Sequence, residues 1–165
     1  MVPLYRDHAG DLRLVLIRRT EGGIHGGQLA FPGGKRDPGD ASALDGALRE
    51  TREEIGLAPE AIEVLEQLPV FETRTTGFRI HPFLARIARP CVWITAPGEV
   101  EEVLEPRIQD LADPEAHGET DMKLPAWPQS ARVAFYRVGP YMLWGASYRI
   151  FHPLLPRIVA GEWKV

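Results

Sequence analysis

The chain has 165 residues, of which 44% are hydrophobic and 25% are charged, proportions typical of an ordinary globular domain. Its formal net charge of −4 argues against general binding of nucleic acids or acidic membranes, because phosphate groups require basic protein surface. The single cysteine, Cys91, excludes an internal disulfide, and no run approaches the roughly 20 apolar residues of a membrane span. The opening residues lack the apolar centre of a secretory signal, so we expect a cytoplasmic protein.

Alternating apolar and polar side chains open the chain. They predict strands over residues 2–5 and 11–19, joined by a turn over residues 7–11. Residues 20–27 are rich in glycine and are predicted to form a loop. A second glycine-rich loop, over residues 33–39, leads into the segment that carries most of the recognisable chemistry.

A helix dense in carboxylates near its end is predicted after this loop. A rotation of about 100° per residue places one set of mostly apolar side chains on a single stripe. That stripe consists of Leu44, Ala47, Leu48, Thr51 and Ile55. The same rotation places Glu50, Glu53 and Glu54 together on a different face, since they stand at i, i+3 and i+4. Gly56 is predicted to end the helix.

The carboxylate face has two interpretations. Like charges on one helix face repel, at roughly 0.2–0.5 kcal/mol per pair, and a solvated acidic surface is the simpler interpretation. The alternative is a site for a hard divalent cation such as Mg²⁺, which takes oxygen ligands. Arg49 can hold a neighbouring carboxylate in one rotamer, and the preceding glycines let the backbone approach a phosphate or metal closely. The combination favours the cation site.

Residues 49–57, RETREEIGL, preceded by Gly34, resemble the Nudix box, which reads G-x5-E-x7-R-E-U-x-E-E-x-G-U with U a bulky apolar residue. Three departures are visible. Asp40 stands where the box has Glu, eight residues instead of seven separate it from Arg49, and Thr51 occupies a bulky apolar position. The first two departures resemble the coenzyme A pyrophosphatase branch, whose box begins GGxxDPxDxS, because this chain reads GGKRDPGDAS.

A second signature of that branch, LLTxRSx3Rx3Gx3FPGG, is matched in part by residues 14–34, which keep Arg18 and the FPGG run. Arg19 replaces the Ser of the signature, and Gly23 replaces its second Arg. The replacement matters because Arg is the usual bidentate partner of a phosphate. Arg19 is the first candidate to bind the 3′-phosphate of coenzyme A in its place, and Arg74 is the second. A solvent-facing role stays open for both.

The sequence predicts four further strands, over residues 62–70, 78–87, 91–94 and 132–138. A polar turn over residues 72–77 joins the first two, and Cys91 is expected to be a buried small hydrophobe. Residues 116–130 are predicted to form a loop. Residues 143–150 resemble a helix of the coenzyme A branch. Its expected core stripe is Trp144, Ser147 or Tyr148, and Phe151.

An acidic segment that begins at Glu99 resembles the DEVxEVxxxP segment of the same branch, which leads into a short element like residues 108–111. In Nudix enzymes a carboxylate from outside the box often completes the metal site or acts as the base. Glu99 and Glu102 are therefore candidates for that role. The alternative is a surface helix with acidic residues near its N-terminus, where the helix dipole favours them.

The resemblance implies an α/β fold, an α/β/α sandwich with a mixed central sheet, formed by residues 1–165 as a single Nudix domain. It implies Mg²⁺- or Mn²⁺-dependent cleavage of the pyrophosphate of coenzyme A or acyl-CoA, giving 3′,5′-ADP and (acyl-)4′-phosphopantetheine. ADP-ribose or another nucleoside diphosphate derivative is the alternative substrate, and a non-catalytic nucleotide-binding module is the third reading. The oligomeric state stays open, with a homodimer as one alternative.

The resemblance also assigns roles to residues of this chain. The catalytic set that it implies is Arg49, Glu50, Glu53, Glu54 and Glu99. The implied metal ligands are Glu50, Glu53, Glu54 and the carbonyl of Gly34. The expected substrate contacts are Arg18, Arg19, Gly33, Lys35 and Arg74.

Overall fold

The computed structural model describes residues 1–22, 25–73, 77–123 and 129–165. Within these residues the strands are β1 (Val2–Arg6), β2 (Leu12–Leu14), β3 (Leu16–Arg19), β4 (Leu29–Ala30), β5 (Ile62–Gln67), β6 (Phe71–Glu72), β7 (Arg79–Ile80), β8 (Phe83–Ile87), β9 (Val100–Leu104), β10 (His117–Met122), β11 (Ala131–Val138) and β12 (Tyr141–Trp144). The helices are α1 (Ala43–Ile55), α2 (Ile108–Ala112), α3 (Gly145–Phe151) and α4 (Leu155–Val159). Short 3-10 turns cover Pro59–Ala61 and Pro114–Ala116.

A mixed sheet with the strand order β2-β1-β8-β5 lies at the centre. Strand β1 pairs with β8 in parallel, whereas the β1–β2 and β5–β8 pairs are antiparallel. Two antiparallel sheets, β4-β3-β9 and β10-β11-β12, and the hairpin β6-β7 complete the strands. The predicted α/β fold with a mixed sheet is confirmed.

Side chains of the mixed sheet alternate between two packed faces, as the pleat of a strand requires. On one face Leu84 belongs to a core cluster with Phe151 of α3 and Ile158 of α4. On the other face Ala85 packs against α1 through residues that include Leu48. The sheet therefore lies between α1 on one side and α3 and α4 on the other, which is the predicted α/β/α arrangement.

Helix α1 has the boundaries that its sequence predicts. Ser42 caps the N-terminus, where its Oγ accepts a hydrogen bond from the Asp45 amide at 3.1 Å. Gly56 ends the helix in the left-handed conformation, with φ of 70°, and its N–H donates to the Arg52 carbonyl. The apolar stripe packs inward, and Thr51 and Ile55 are fully buried.

Two predicted strands are each divided. The stretch over residues 11–19 breaks at Val15, because β2 pairs within the mixed sheet while β3 enters the β4-β3-β9 sheet. The stretch over residues 78–87 breaks before Pro82, which has no N–H to donate and whose carbonyl accepts from the Leu68 amide. Each strand boundary is set by the tertiary partner that the backbone meets.

The predicted strand over residues 91–94 is wrong, and so is the predicted burial of Cys91. Cys91 is exposed, as are the side chains of Val92 and Ile94. The backbone here pairs with no strand. Instead, the Ile94 amide donates to the carbonyl of Ile55 at the end of α1, so an apolar run of β-type residues lies on a helix terminus.

The C-terminal third contains more regular structure than predicted. Strand β10 lies within the predicted loop over residues 116–130, and its sequence HGETDM has no apolar alternation because both of its faces are largely solvated. Strand β12 follows β11, so residues 132–138 do not form the last strand. The predicted helix over residues 143–150 begins at Gly145, and Phe151 is fully buried as expected. None of the helices in the described ranges has the length and hydropathy to cross a lipid bilayer.

Candidate catalytic site

The second glycine-rich loop and the C-terminal half of α1 meet at two adjacent glycines. The Gly33 amide donates a hydrogen bond to Glu54 Oε2 at 2.7 Å, and the Gly33 φ of 135° strongly favours glycine. A Cβ atom on Gly34 would lie 2.1 Å from Glu50 Oε2, so only glycine allows this close approach. The glycine pair therefore lets two carboxylates reach the loop backbone.

Glu54 is buried, with 2% of its surface exposed, which contradicts the alternative interpretation of a solvated acidic face for this residue. Its pKa is raised to about 7, chiefly by loss of hydration and to a smaller extent by the negative charges of Glu50 and Glu99. The Gly33 hydrogen bond and the Arg19 guanidinium oppose this rise. The result is a carboxyl group that takes up a proton near neutral pH in the absence of a bound cation.

Arg49 connects α1 to the loop. Its Nη1 donates to Glu50 Oε1 at 3.0 Å and to Glu53 Oε2 at 2.8 Å. Its Nε and Nη2 each donate to one oxygen of Asp40 at 3.0 Å, and Nη2 also donates to the Lys35 carbonyl. This guanidinium is surrounded by acceptors that raise its pKa, so its role is to position the carboxylates and not to exchange protons.

Arg19 and Glu99 reach the same site from outside the loop and α1. Nη1 of Arg19 lies 3.7 Å from Glu54 Oε1. The Thr20 amide donates to the Glu99 carbonyl, which places the exposed Glu99 beside the end of β3. The structure therefore brings together Gly33, Gly34, Arg49, Glu50 and Glu54, with Arg19 and Glu99 at the edge.

Comparisons with known proteins decide the family. A family model described as the NUDIX domain matches residues 1–133. The chain belongs to the Nudix family. It is similar to Uncharacterized Nudix hydrolase NudL of Salmonella paratyphi B, with 35% identity over 135 residues that cover 81% of this chain and 68% of the relative. It is a Nudix hydrolase, and its activity falls within the hydrolysis of nucleoside diphosphate derivatives.

Solved Nudix structures share the fold. A Nudix hydrolase from M. smegmatis, RenU, superposes with a TM-score of 0.62 at 18% identity, covering 99% of this chain and 85% of that chain. A MutT protein from Methanosarcina mazei Go1 gives a TM-score of 0.57 at 21% identity, covering 99% of this chain and 93% of that chain. The C. elegans Ap4A hydrolase in a binary complex gives a TM-score of 0.54 at 22% identity, covering 66% of this chain and 77% of that chain.

Asp40, which departs from the Nudix box, has a defined place in the structure. It forms the bidentate pair with Arg49, accepts from the Asp37 amide at 2.7 Å, and is 9% exposed. The neighbouring guanidinium holds the pKa of its carboxyl below the usual value. A Cβ on Gly46 would lie 2.9 Å from Asp40 Oδ2, so Gly46 leaves room for this carboxylate. Its position in the box motif was the signal that could have placed it among the site residues.

Arg18 and Lys35 are two further predicted substrate residues that the structure describes. Arg18 donates through Nε to Glu102 Oε1 at 2.7 Å, so both side chains are committed to each other. Lys35 is exposed and lines an open hollow of about 460 Å³ with the residues that follow it in the loop. Arg74 lies outside the described residues. The alternative of a surface helix at Glu99 is wrong, because Val100–Leu104 forms strand β9 and pairs with β3.

The fit of a divalent cation depends on which carboxylates can converge. In the part of the chain that the structure describes, no three His, Cys, Asp or Glu side chains are grouped to hold a metal ion. Glu53 has 57% of its side chain exposed and is bonded to Arg49. Glu50 and Glu54 meet at the glycine pair and offer the oxygen donors that Mg²⁺ and Mn²⁺ prefer. The donor chemistry therefore fits such an ion, with these two residues as its nearest ligands.

Proposed function

We propose that this Nudix hydrolase is a Mg²⁺- or Mn²⁺-dependent pyrophosphohydrolase. The observation that carries the proposal is the pair of carboxylates, Glu50 and Glu54, held against the backbone of Gly33 and Gly34. These two would hold the ion, with Glu53 and the Gly34 carbonyl as further ligands. The ion, when bound, would neutralise charge on the pyrophosphate oxygens. Arg49 keeps the carboxylates oriented toward the loop.

We propose that a glutamate of this site takes the proton from the attacking water. Glu54 is the first candidate, because its carboxylate is held against the loop backbone where the pyrophosphate would lie. Glu99 is the second, since it is exposed and approaches from β9. Lys35 and Arg19 supply positive charge on the two sides of the loop, where the phosphates would lie.

We propose coenzyme A or acyl-CoA as the substrate, with 3′,5′-ADP and (acyl-)4′-phosphopantetheine as the products. The support is the loop around Asp40, which is the part of the box that distinguishes the coenzyme A branch. The shorter Asp side chain and the longer spacing together form the bidentate pair with Arg49. The departure from the general box therefore has a structural role, which is to hold Arg49.

ADP-ribose or another nucleoside diphosphate derivative is the second candidate substrate. The observation that favours it is the position of Arg18, which the coenzyme A signature retains but which here is bonded to Glu102. The NUDIX domain of Shewanella oneidensis NrtR complexed with ADP ribose shares the fold, with a TM-score of 0.50 at 20% identity. The 3′-phosphate, which distinguishes coenzyme A from ADP-ribose, would need a cationic partner other than Arg18.

A hydrolysis panel tests both proposals. Coenzyme A, dephospho-coenzyme A, ADP-ribose and Ap4A are incubated with Mg²⁺, with Mn²⁺ or with excess EDTA, and the products are separated by chromatography. We expect cleavage only with metal, and Glu54→Gln to lower kcat by about 10³-fold. Glu63→Gln, on the exposed side of β5, is the matched control and keeps full activity. Full activity in EDTA contradicts the metal mechanism, and a higher kcat/KM for ADP-ribose contradicts the coenzyme A assignment.

We also propose that residues 1–165 form one domain, although the family model ends at residue 133. The support is the shared core: Leu155 and Ile158 of α4 belong to the same cluster as Val2 and Leu4 of β1. A cytoplasmic location and the alternative of a homodimer stay predictions from the sequence.

A further inference from the structure

A groove opens where two sheet edges meet. Strand β4 is an edge of the β4-β3-β9 sheet, β12 is an edge of the β10-β11-β12 sheet, and the two strands are in contact. The groove has a volume of about 340 Å³, within the range of small-molecule sites. Its walls include Glu21, Gly27, Gln28, Tyr141, Met142 and Trp144.

Tyr141 is the wall residue whose ring is held in place. Its hydroxyl donates to Glu102 Oε1 at 2.7 Å, and Arg18 Nε donates to the same oxygen. The Arg18 guanidinium carbon also lies 5.2 Å from the centroid of the Tyr141 ring. These two donors lower the pKa of Glu102, so it remains an anionic acceptor at neutral pH. Side chains from β3 and β9 thus fix an aromatic ring on β12.

The opposite wall of the groove is hydrogen-bonded to the backbone of Arg19, whose side chain reaches the candidate site. The Gly27 amide donates to the Arg19 carbonyl, and the Arg19 amide donates to the Gln28 carbonyl, both at 3.1 Å. The side chain of Arg19 reaches Glu54, and β4 continues directly into the loop that holds Gly33. The groove therefore shares its backbone with the segment that carries the buried carboxylate.

We propose that this groove binds the nucleobase of the substrate, with Tyr141 as the stacking residue and with Glu102 and Arg18 as its positioning residues. The proposal rests on the proposed function only in that the substrate is a nucleotide. Aromatic rings stack on bases of any sequence, and the Gln28 side-chain NH2 offers a donor to a base edge, while its Oε1 contacts His25 Nδ1 at 3.3 Å. The carboxylate of Glu21 on the rim disfavours a phosphate in the same place.

Binding of AMP and of ribose 5-phosphate to the protein in EDTA, measured by NMR titration, isolates the contribution of the base. We expect the wild-type protein to bind AMP at least tenfold more tightly than ribose 5-phosphate. Tyr141→Ala should weaken AMP binding by about tenfold or more and leave ribose 5-phosphate unchanged. Phe78→Ala removes an aromatic ring that is 57% exposed and outside the groove, so it should change neither affinity. The proposal is overturned if the wild type binds AMP and ribose 5-phosphate with equal affinity. It is also overturned if Tyr141→Ala keeps the wild-type preference for AMP over ribose 5-phosphate.

Kinetics test the positioning role separately. Tyr141→Phe keeps the ring but removes its bond to Glu102, and Glu102→Gln removes the charge that holds Arg18. Both should raise KM severalfold for the best nucleotide substrate of the panel and leave kcat within about twofold, because binding is weakened equally in the ground and transition states. A fall in kcat at unchanged KM contradicts positioning. If no substrate is cleaved, the hydrolase proposal fails, while the AMP titration still decides the groove.

Discussion

Replacing Glu54 with Gln should stabilise the metal-free protein, although we expect the same change to lower kcat by about 10³-fold. The ordinary carboxyl pKa of 4.5 is raised to about 7 by burial of a side chain that is 2% exposed. A carboxyl with a raised folded-state pKa contributes stability below its unfolded-state pKa, and that contribution is lost as the pH rises through the folded-state value. Ionised Glu54 therefore opposes folding at pH 8.

The size of the stability change follows from the shift in the pKa of Glu54. One pKa unit corresponds to about 1.4 kcal/mol, so Glu54 costs about 3 kcal/mol relative to a neutral side chain at pH 8, where it is ionised. At pH 5 the cost falls to about 1 kcal/mol, because there folding requires the carboxylate to take up a proton. Gln is neutral at both values and its amide oxygen can still accept from the Gly33 amide. For a chain of this length, about 3 kcal/mol corresponds to an increase in Tm of roughly 6–12 °C.

Thermal unfolding in excess EDTA at pH 5 and pH 8 measures the effect. The difference in Tm between Glu54→Gln and the wild type, and not the pH profile of either, removes the titrations that the two proteins share. Burial lowers the pKa of the Met1 amino group to about 5 and the charge of Glu54 opposes this shift, so the difference reports Glu54 together with its coupling to Met1. Glu53→Gln changes an exposed carboxylate on the same helix. Its Tm should not rise above that of the wild type by an amount that grows with pH. A Glu54→Gln protein that is no more stable than the wild type at pH 8 refutes the reasoning.

Three further predictions follow from the contacts of the site. Gly34→Ala should lower kcat by about tenfold or more while the protein stays folded by circular dichroism, because the added Cβ would lie 2.1 Å from Glu50 Oε2. Arg49→Lys should lower both kcat and Tm, since a single ammonium cannot replace the bonds to Asp40, Glu50 and Glu53; equal Tm values would contradict this. Mg²⁺ should raise the Tm of the wild type at pH 8 more than that of Glu54→Gln, in a titration followed by scanning calorimetry.

Local sequence signals predicted the elements that local interactions determine. The boundaries of α1 follow from Ser42 and Gly56, and the buried stripe follows from helical spacing. The division of residues 11–19 into two strands could not be predicted, because it arises where the chain passes from one sheet to another at Val15. Strand β10 was missed because a strand solvated on both faces has no apolar alternation. The strand predicted over residues 91–94 is wrong for the opposite reason, because apolar β-type residues there remain exposed.

The motif named the carboxylates of the candidate site but did not predict their arrangement. Helical spacing placed Glu54 on one face with Glu50 and Glu53 and could not predict that Glu54 alone is fully buried. Burial of Glu54 depends on Gly33, which lies 21 residues away in the chain. The groove at Tyr141 depends on the contact between two edge strands, which no single segment of sequence encodes. Arg18 was assigned to substrate for the same reason, because its partner Glu102 is 84 residues distant.

Repulsion among the three carboxylates is weaker in the folded chain than their helical spacing indicates. Arg49 bonds to Glu50 and Glu53 together, so the pair that the sequence marks as repelling is largely compensated in the folded chain. A module that only binds nucleotides could retain such a compensated pair. Glu54 is different, because burial raises its pKa and Arg19 approaches it only to 3.7 Å. A buried carboxylate that destabilises the metal-free protein is expected where a cation or a proton transfer uses it, and the comparison of Glu54→Gln with Glu53→Gln separates that carboxylate from its compensated neighbours.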